Sequence, residues 1–405
     1  MINVVGLGYI GLPTALIFAA NGIKVTGTDC DIKRVGILRS GKMPFEEDGI
    51  EELWERGKNN IVFTDKCIES DIYIIAVPTP YDKTTKRIDA GYLVTAVRDV
   101  LKVAPENAVL VIESTIAPGT VDQYIRGAAA EAGFVAGENI HLVHAPERII
   151  PGRMVKELVE NSRTIGADSP EIAEKVKSLY KRFCKGEIIC TDIATAAMSK
   201  IVENAYRDLN IAFANELAKI CREGGLDVYE IIRIANRHPR VNILNPGPGV
   251  GGHCIPIDPW FLVGDYPETA NLIRAAREVN ESMPAYVLER TEQIMKETGI
   301  ADFSKVGFYG LTYKENIDDA RESPTLQLLE AMRFHKMRAP KIYDPYVKNI
   351  VAVNQVFSLD DFFDGLEMVV IMVAHDEIMK NQDLLEDKTV LDTRNAIKSP
   401  NVYKL

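Results

Sequence analysis

The chain has 405 residues, more than one ordinary core accommodates, so about two to three domains are expected. A formal charge of -11 and a pI near 5.2 exclude nucleic acid and membrane surfaces as general partners, because either would repel it. The 46% hydrophobic and 26% charged fractions are those of a soluble globular protein, and no apolar run reaches the ~18 to 20 residues of a membrane span.

A short β-type run at 2–5 stops at Gly6, followed by an apolar helical segment at 12–20 and a strand at 24–28. Further strands are expected at 71–77 and 108–112, alternating with helices at 90–103 and 121–132, and then at 141–144 and 163–165. Strands alternating with helices of this length indicate βαβ units and a parallel sheet. Helical periodicity then runs from 194 to 222 and closes at Gly224-Gly225; a second helical region, 268–298, is expected to be interrupted near Pro284. Strands return at 305–309, 341–343, 368–373 and 389–391, with a helix at 324–334. The expected fold is α/β: two Rossmann-like domains with parallel sheets, 1–193 and 300–405, joined by a central helical region, 194–299. The two α/β halves are not an obvious sequence repeat.

The N-terminus lacks a basic segment and is broken by Gly6, Gly8, Gly11 and Pro13, so it does not read as a signal peptide. The six cysteines are scattered, with no CxxC pair and no metal-type clustering with histidine; reduced thiols in a cytoplasmic protein are expected, and no metal.

GLGYIG at 6–11 fits G-x-G-x-x-G between a strand and a helix. Gly6 permits the tight turn, Gly8 lets the backbone approach a pyrophosphate, and Gly11 lets the helix pack on the strand, with Tyr9 and Ile10 inside the motif. Asp29 ends the next strand, where a carboxylate binds ribose hydroxyls and repels a 2′-phosphate, so NAD is favoured over NADP. VPTP at 77–80, with Pro78 and Thr79, and STIAPGT at 114–120, with Thr115, lie at the carboxyl edge where ligands of open sheets sit.

Residues 245–260, NPGPGVGGHCIPIDPW, hold four glycines and four prolines and read as a loop of fixed shape carrying Cys254 and, four residues on, Asp258. A buried cysteine in a turn is the ordinary alternative to a nucleophile. Lys200 and Asn204, spaced i, i+4 on one helix, place an ammonium and an amide where they could meet a shared reacting centre. Such a cation favours thiolate and stabilises a developing oxyanion.

The chain resembles the nucleotide-sugar 6-dehydrogenases, the family of UDP-glucose and GDP-mannose dehydrogenases. The resemblance covers essentially the whole length through GLGYIGLPTA, VPTP, ESTIAPGT, PERIIPG, SKIVENAYRDLN, the cysteine loop and GLTYKENIDDARESP. It implies an NAD domain, a helical dimerisation centre and a nucleotide-sugar domain. It also implies a four-electron oxidation with two NAD, through a thiohemiacetal and a thioester on Cys254. Carried over, Lys200 would stabilise the oxyanions with Asn204 beside it, Asp258 would bind Lys200 or a water, Thr115 would hold a catalytic water, and Glu147 would be a candidate base. Arg148, Arg207, Gly251, His253, Tyr313, Lys314 and Arg394 are implied at the substrate, and Arg321 at the cofactor. Arg240 is implied to reach a neighbouring subunit's sugar in a homodimer or homotetramer.

The glucose branch reads FGGSC with a lysine before the aspartate, and PEFxxEG upstream. Here the loop is VGGHC with Ile257 before Asp258, and Pro151 replaces the second carboxylate, which puts a hydrolysis base there in doubt. The pattern resembles the branch acting on UDP-N-acetylhexosamines, and implies UDP-N-acetyl-D-mannosamine oxidised to the uronate, a precursor of surface polysaccharides. His253 is expected to shape the loop through backbone bonds rather than touch substrate. The same chemistry on UDP-N-acetylglucosamine or UDP-glucose, a two-electron β-hydroxyacid dehydrogenase, and a non-catalytic NAD-binding regulator are the alternatives.

Overall fold

Short β-branched runs that end at a glycine or a turn become buried strands in two separate stretches of this chain. The structure, a computed structural model, describes residues 1–334, 339–398 and 401–405. It divides into two units, Met1–Glu203 and Asn204–Leu405.

The first unit runs β1 (Ile2–Val5), α1 (Gly11–Ala20), β2 (Val25–Thr28), α2 (Ile32–Arg39), α3 (Ile50–Gly57), β3 (Ile61–Thr64), β4 (Ile72–Ile75), α4 (Gly91–Leu101), β5 (Ala108–Ile112), α5 (Arg126–Glu131), β6 (Ile140–His144), α6 (Met154–Glu160), β7 (Arg163–Ala167), α7 (Pro170–Tyr180) and β8 (Ile188–Thr191). The strands form one sheet in the order β3-β2-β1-β4-β5-β6-β7-β8. The order reverses between β1 and β4, which creates a crevice at the carboxyl ends of those strands. The all-parallel expectation fails at one place: β7 pairs antiparallel with β6, Val143 opposite Ala167, before β8 resumes parallel to β7. The helix expected at 121–132 opens as a wide π turn, Val121–Ile125, before α5.

Helix α8 (Ile193–Glu223) is continuous through the division, and Gly225 past its end takes φ +65°. The second unit continues with α9 (Val228–Ala235), α10 (Asp258–Asp265), α11 (Asn271–Thr298), β9 (Val306–Tyr309), α12 (Pro324–Phe334), β10 (Lys341–Tyr343), β11 (Gln355–Val356), β12 (Met368–Ile371), β13 (Thr389–Asp392) and β14 (Val402–Lys404). Its sheet, β11-β10-β9-β12-β13-β14, is parallel throughout and repeats the order of the first six strands of the other.

Two expectations are corrected here. Pro284 does not interrupt α11, which passes through it unbroken; the ring is buried and packs toward Gly249. Burial of the ring offsets the missing N–H bond. The cysteine loop is irregular only to Ile257, because Asp258, Pro259 and Trp260 open α10. Proline in a first helical turn loses no bond that the helix would have made.

The two sheets share a device that the sequence comparison of the halves did not reveal. In the first, the Gly6 amide donates to Thr28 O at 2.8 Å and the Leu7 amide to Asp29 Oδ2 at 2.8 Å. In the second, the Gly310 amide donates to Tyr343 O at 2.8 Å and the Leu311 amide to Asp344 Oδ2 at 2.6 Å. Each carboxylate, one residue past the second strand of its sheet, brackets the turn after the first strand.

Candidate active site

The glycine turn is built as its spacing requires. Gly6 has φ +90°, and a Cβ there would lie 2.6 Å from Ala76 O. A Cβ on Gly11 would lie 1.8 Å from Gly6 O, so only glycine lets α1 start that close to the strand. Gly8 is different: nothing lies within 4 Å of its absent Cβ. That open space beside the N-terminus of α1 fits a pyrophosphate, with the helix dipole favouring its charge. Asp29 is buried and accepts from Leu7 N, Asp31 N and Arg34 Nη1 at 2.8, 2.8 and 3.0 Å. A carboxylate has about four acceptor sites, so one is left for a ribose hydroxyl. Tyr9 stacks on Phe45 with ring centroids 4.5 Å apart, and Ile10 caps α1.

At the carboxyl edge the two loops expected to line the ligand are tied together. Ser114 Oγ donates to Val77 O at 2.7 Å and Thr79 Oγ1 to Thr115 O at 2.6 Å. The Thr79 hydroxyl proton is therefore spent on the loop, and Pro78 beside it is exposed. Glu147 is buried; one oxygen accepts the Arg148 amide at 2.7 Å and the other lies 2.5 Å from Arg163 Nη2. Arg148 bonds Glu203 through Nε and Nη2, both at 2.7 Å, so its fork already holds a carboxylate. Lys200 is only 6% exposed, and among the described residues no hydrogen bond or ion pair engages its ammonium. Burial lowers the His144 pKa to about 4, with the Lys200 charge adding to the effect.

In the second unit Asn204 Nδ2 donates to Asp258 Oδ2 at 2.5 Å, joining α8 to the first residue of α10. Cys254 carries a half-buried thiol, and its carbonyl accepts from the Ile257 and Asp258 amides at 3.0 and 2.8 Å. The thiol is thus fixed at a turn leading directly into α10. Asn215 supports the loop from α8: its Oδ1 accepts the Gly247 amide at 2.8 Å while its Nδ2 bonds Asn280. A Cβ on Gly251 would lie 2.6 Å from both Tyr313 Cβ and Glu322 O, so the loop packs tightly on the turn after β9.

His253 bonds side chains of the turn after β9. Its Nε2 is 2.9 Å from Asp319 Oδ2 and 2.8 Å from Arg321 Nη2, and its ring meets Tyr313 edge-on. Burial would raise the Asp319 carboxyl, yet bonds from His253 and Arg321 hold it well below the usual range. Arg321 is thereby committed to Asp319, with Nε and Nη2 at 2.9 and 2.7 Å. It also borders a cavity of about 420 Å³ with Asp318, Tyr346 and Lys348. Lys314 follows on the same turn, its carbonyl held by Thr312 Oγ1 at 2.8 Å. Arg394 donates from Nε to Met372 O at 2.8 Å, and its Nη1 approaches Gly247; burial disfavours its charge. Arg207 and Arg240 have exposed side chains, and no ion pair engages either among the described residues.

The spacing of motifs did not identify Glu113, Arg163, Asn215, Asp319 or His375. His375 and Asp344 are wholly buried and 3.1 Å apart, with His375 Nδ1 accepting the Asn316 amide at 2.9 Å. Burial would raise Asp344, but the bonds from His375 and from the Leu311 and Tyr346 amides leave it below the usual range.

Residues 1–184 match the NAD binding domain of the UDP-glucose/GDP-mannose dehydrogenase family, 194–282 its central domain and 307–399 its UDP binding domain. Over 410 residues the chain is 42% identical to a UDP-N-acetyl-D-mannosamine dehydrogenase of Methanococcus maripaludis, covering 98% of this chain and 93% of that one. It is 41% identical to an NDP-N-acetyl-D-galactosaminuronic acid dehydrogenase of Ralstonia nicotianae, covering 97% and 95% of the two chains. Among solved structures, a UDP-D-ManNAc dehydrogenase from Pyrococcus horikoshii superposes with a TM-score of 0.92 at 38% identity, covering 100% and 99%. The chain belongs to the UDP-glucose/GDP-mannose dehydrogenase family. It is an NAD-dependent enzyme that oxidises a UDP-sugar.

Proposed function

We propose that the enzyme oxidises the C6 primary alcohol of UDP-N-acetyl-D-mannosamine to the carboxylate, forming UDP-N-acetyl-D-mannosaminuronate through Cys254. The observation that carries this reading is the thiol loop: a half-buried cysteine on a braced glycine turn, beside an aspartate already oriented by Asn204. The choice of sugar rests on the relatives named above.

NAD, when bound, would supply the hydride acceptor, with a fresh NAD for each of the two oxidations. In the first, the alcohol loses its proton to a base and C6 becomes an aldehyde carbon. The Cys254 thiolate then adds to that carbon, and the resulting oxyanion is stabilised by the Lys200 ammonium and the Asn204 amide. Loss of the second hydride leaves a thioester. Water attacks it, the sulfur departs as thiolate, and the carboxylate forms. With Pro151 in place of a second carboxylate, Glu147 and a water held at Thr115 are assigned to the hydrolysis. Arg148, Arg207, Gly251, His253, Tyr313, Lys314 and Arg394 are assigned to the nucleotide sugar, and Arg321 to the cofactor. Gly8 and Asp29 fit the pyrophosphate and the adenosine ribose.

We assign the chain to a homodimer or homotetramer in which segment 194–299 pairs the subunits and the exposed Arg240 reaches a neighbour's sugar. In support, Tyr206, Phe213 and Ile220 lie seven residues apart on α8 and are 68%, 53% and 57% exposed, an apolar stripe that a partner would cover. Six scattered cysteines without a CxxC pair suit a reducing cytoplasm, where we place the protein.

The test incubates purified enzyme with NAD and a panel of UDP-sugars, counting NADH per sugar consumed. About two NADH per sugar, with fastest turnover of the N-acetylmannosamine compound, is expected from the four-electron stoichiometry. A single NADH per sugar rules the thioester route out. Cys254→Ala should lose acid formation, and acid made at the wild-type rate would remove the cysteine from the mechanism.

A further inference from the structure

Arg163 links Glu147 to a second buried carboxyl, Glu113, inside the first unit, and the chemistry above uses neither Arg163 nor Glu113. Arg163, on β7, is 4% exposed and places Nη2 2.5 Å from Glu147 Oε2 and Nη1 3.9 Å from Glu113 Oε1. Glu113, at the end of β5, has no exposed side-chain surface. Its Oε1 lies 2.5 Å from the Tyr180 hydroxyl of α7, and its Oε2 accepts from Thr14 Oγ1 of α1 at 3.1 Å. The Arg163 guanidinium faces the rings of Tyr180 and Phe183 at 4.8 and 5.5 Å. Arg163 Nε and Nη1 make no hydrogen bond within the described residues.

One buried cation thus stands between two buried carboxylates, and two negative charges cannot both be kept there cheaply. The proton belongs on the carboxyl with the longer ion pair, the more complete burial and hydroxyl neighbours to share it with. We infer that Arg163 is a positioning residue that holds Glu147 ionised and aimed, while Glu113 carries the resident proton that keeps the trio neutral. Burial and the Glu147 charge push the Glu113 carboxyl up to about 7, against the pull of Arg163, Tyr180 and Thr14. The Thr14 bond also ties this state to α1, the helix that opens the dinucleotide turn. The inference rests on Glu147 being the base.

The test is the pH dependence of kcat/KM with NAD and UDP-N-acetyl-D-mannosamine for wild type, Glu113→Gln, Arg163→Met/Glu113→Gln and Glu147→Gln. Glu113→Gln copies the protonated form, so its acid limb should overlay the wild type below pH 7. Arg163→Met/Glu113→Gln removes the counter-ion alone from that background, and its acid limb should move up by about 1 to 2 pH units. Arg163→Lys/Glu113→Gln should bring it back. An unmoved limb in the Met variant, or a displaced one in Glu113→Gln, overturns the assignment. Full activity in Glu147→Gln instead overturns the base reading and the inference with it. Should the Met variant not fold, infrared difference spectra at pH 6 decide. A protonated-carboxyl band should vanish in Glu113→Gln and persist in Glu147→Gln, and the reverse pattern overturns the inference.

Discussion

At the carboxyl end of β6, His144 donates from Nδ1 to the Ile112 carbonyl at 2.8 Å, and its Nε2 is buried without a hydrogen bond among the described residues. The folded protein therefore keeps this ring neutral, with a pKa of about 4 against 6.5 when exposed, chiefly through burial. Between pH 6.5 and about 4 the unfolded chain binds a proton that the folded chain refuses, so stability falls as pH drops through that window. His144→Asn can still donate to Ile112 but cannot titrate. Its midpoint of thermal unfolding should fall less than the wild type's from pH 7 to pH 4.5. Equal slopes would place the acid sensitivity elsewhere. Residues of this kind are where sequence reading is weakest. Cys254, Gly6 and Asp29 announce themselves by neighbours a few positions away. Arg163 meets Glu113 only because β7 lies two places from β5 in the sheet, 50 positions on in the chain. Likewise, the partners of His253, Asp319 and Arg321, lie more than 60 positions on.

Elements show the same division between local and distant causes. The glycine turn was readable glycine by glycine, and its three positions now separate into two kinds. Gly11→Ala forces a Cβ to within 1.8 Å of Gly6 O, and should lower stability by about 1–3 kcal/mol or more in a urea melt. Gly8→Ala meets nothing within 4 Å, so the fold should keep its stability while NAD affinity falls at least about tenfold by titration. Undiminished affinity in Gly8→Ala would remove Gly8 from the pyrophosphate site. Proline, by contrast, misled in both directions. Pro284 reads as a break yet sits inside α11, and Pro259 reads as loop yet starts α10. In each case the outcome depends on whether an N–H was needed at that position and on what packs around the ring. The antiparallel placement of β7 left no local trace, since strand direction is set by the connection and not by composition.

For the whole molecule, α/β alternation gave both sheets, but not the order of their strands. That order depends on which edges are free when each crossover returns. Association was implied through family resemblance rather than through any pattern of charge. It is testable on the α8 stripe: Phe213→Glu should convert a dimer or larger species to monomer in sedimentation velocity, weakening association by at least about tenfold. Val353→Glu, at a residue 65% exposed on the second unit, serves as the control and should leave the mass unchanged. A wild type that sediments as a monomer, or a Phe213→Glu variant that stays assembled, would place the subunit contact elsewhere.

The carboxylate brackets bear on how the enzyme meets its ligands. Asp29 already satisfies the Leu7 amide, and Asp344 the Leu311 amide, so neither turn waits for a phosphate to give it shape. Little backbone freedom remains to be lost when a nucleotide arrives, and the affinity of each socket should be set by contact and desolvation rather than by ordering of the loop. The brackets differ in what remains open. The Asp29 carboxylate keeps an acceptor site open, whereas Asp344 is closed off by His375 and four backbone amides. The same piece of architecture leaves an acceptor open in one half of the chain and is closed in the other.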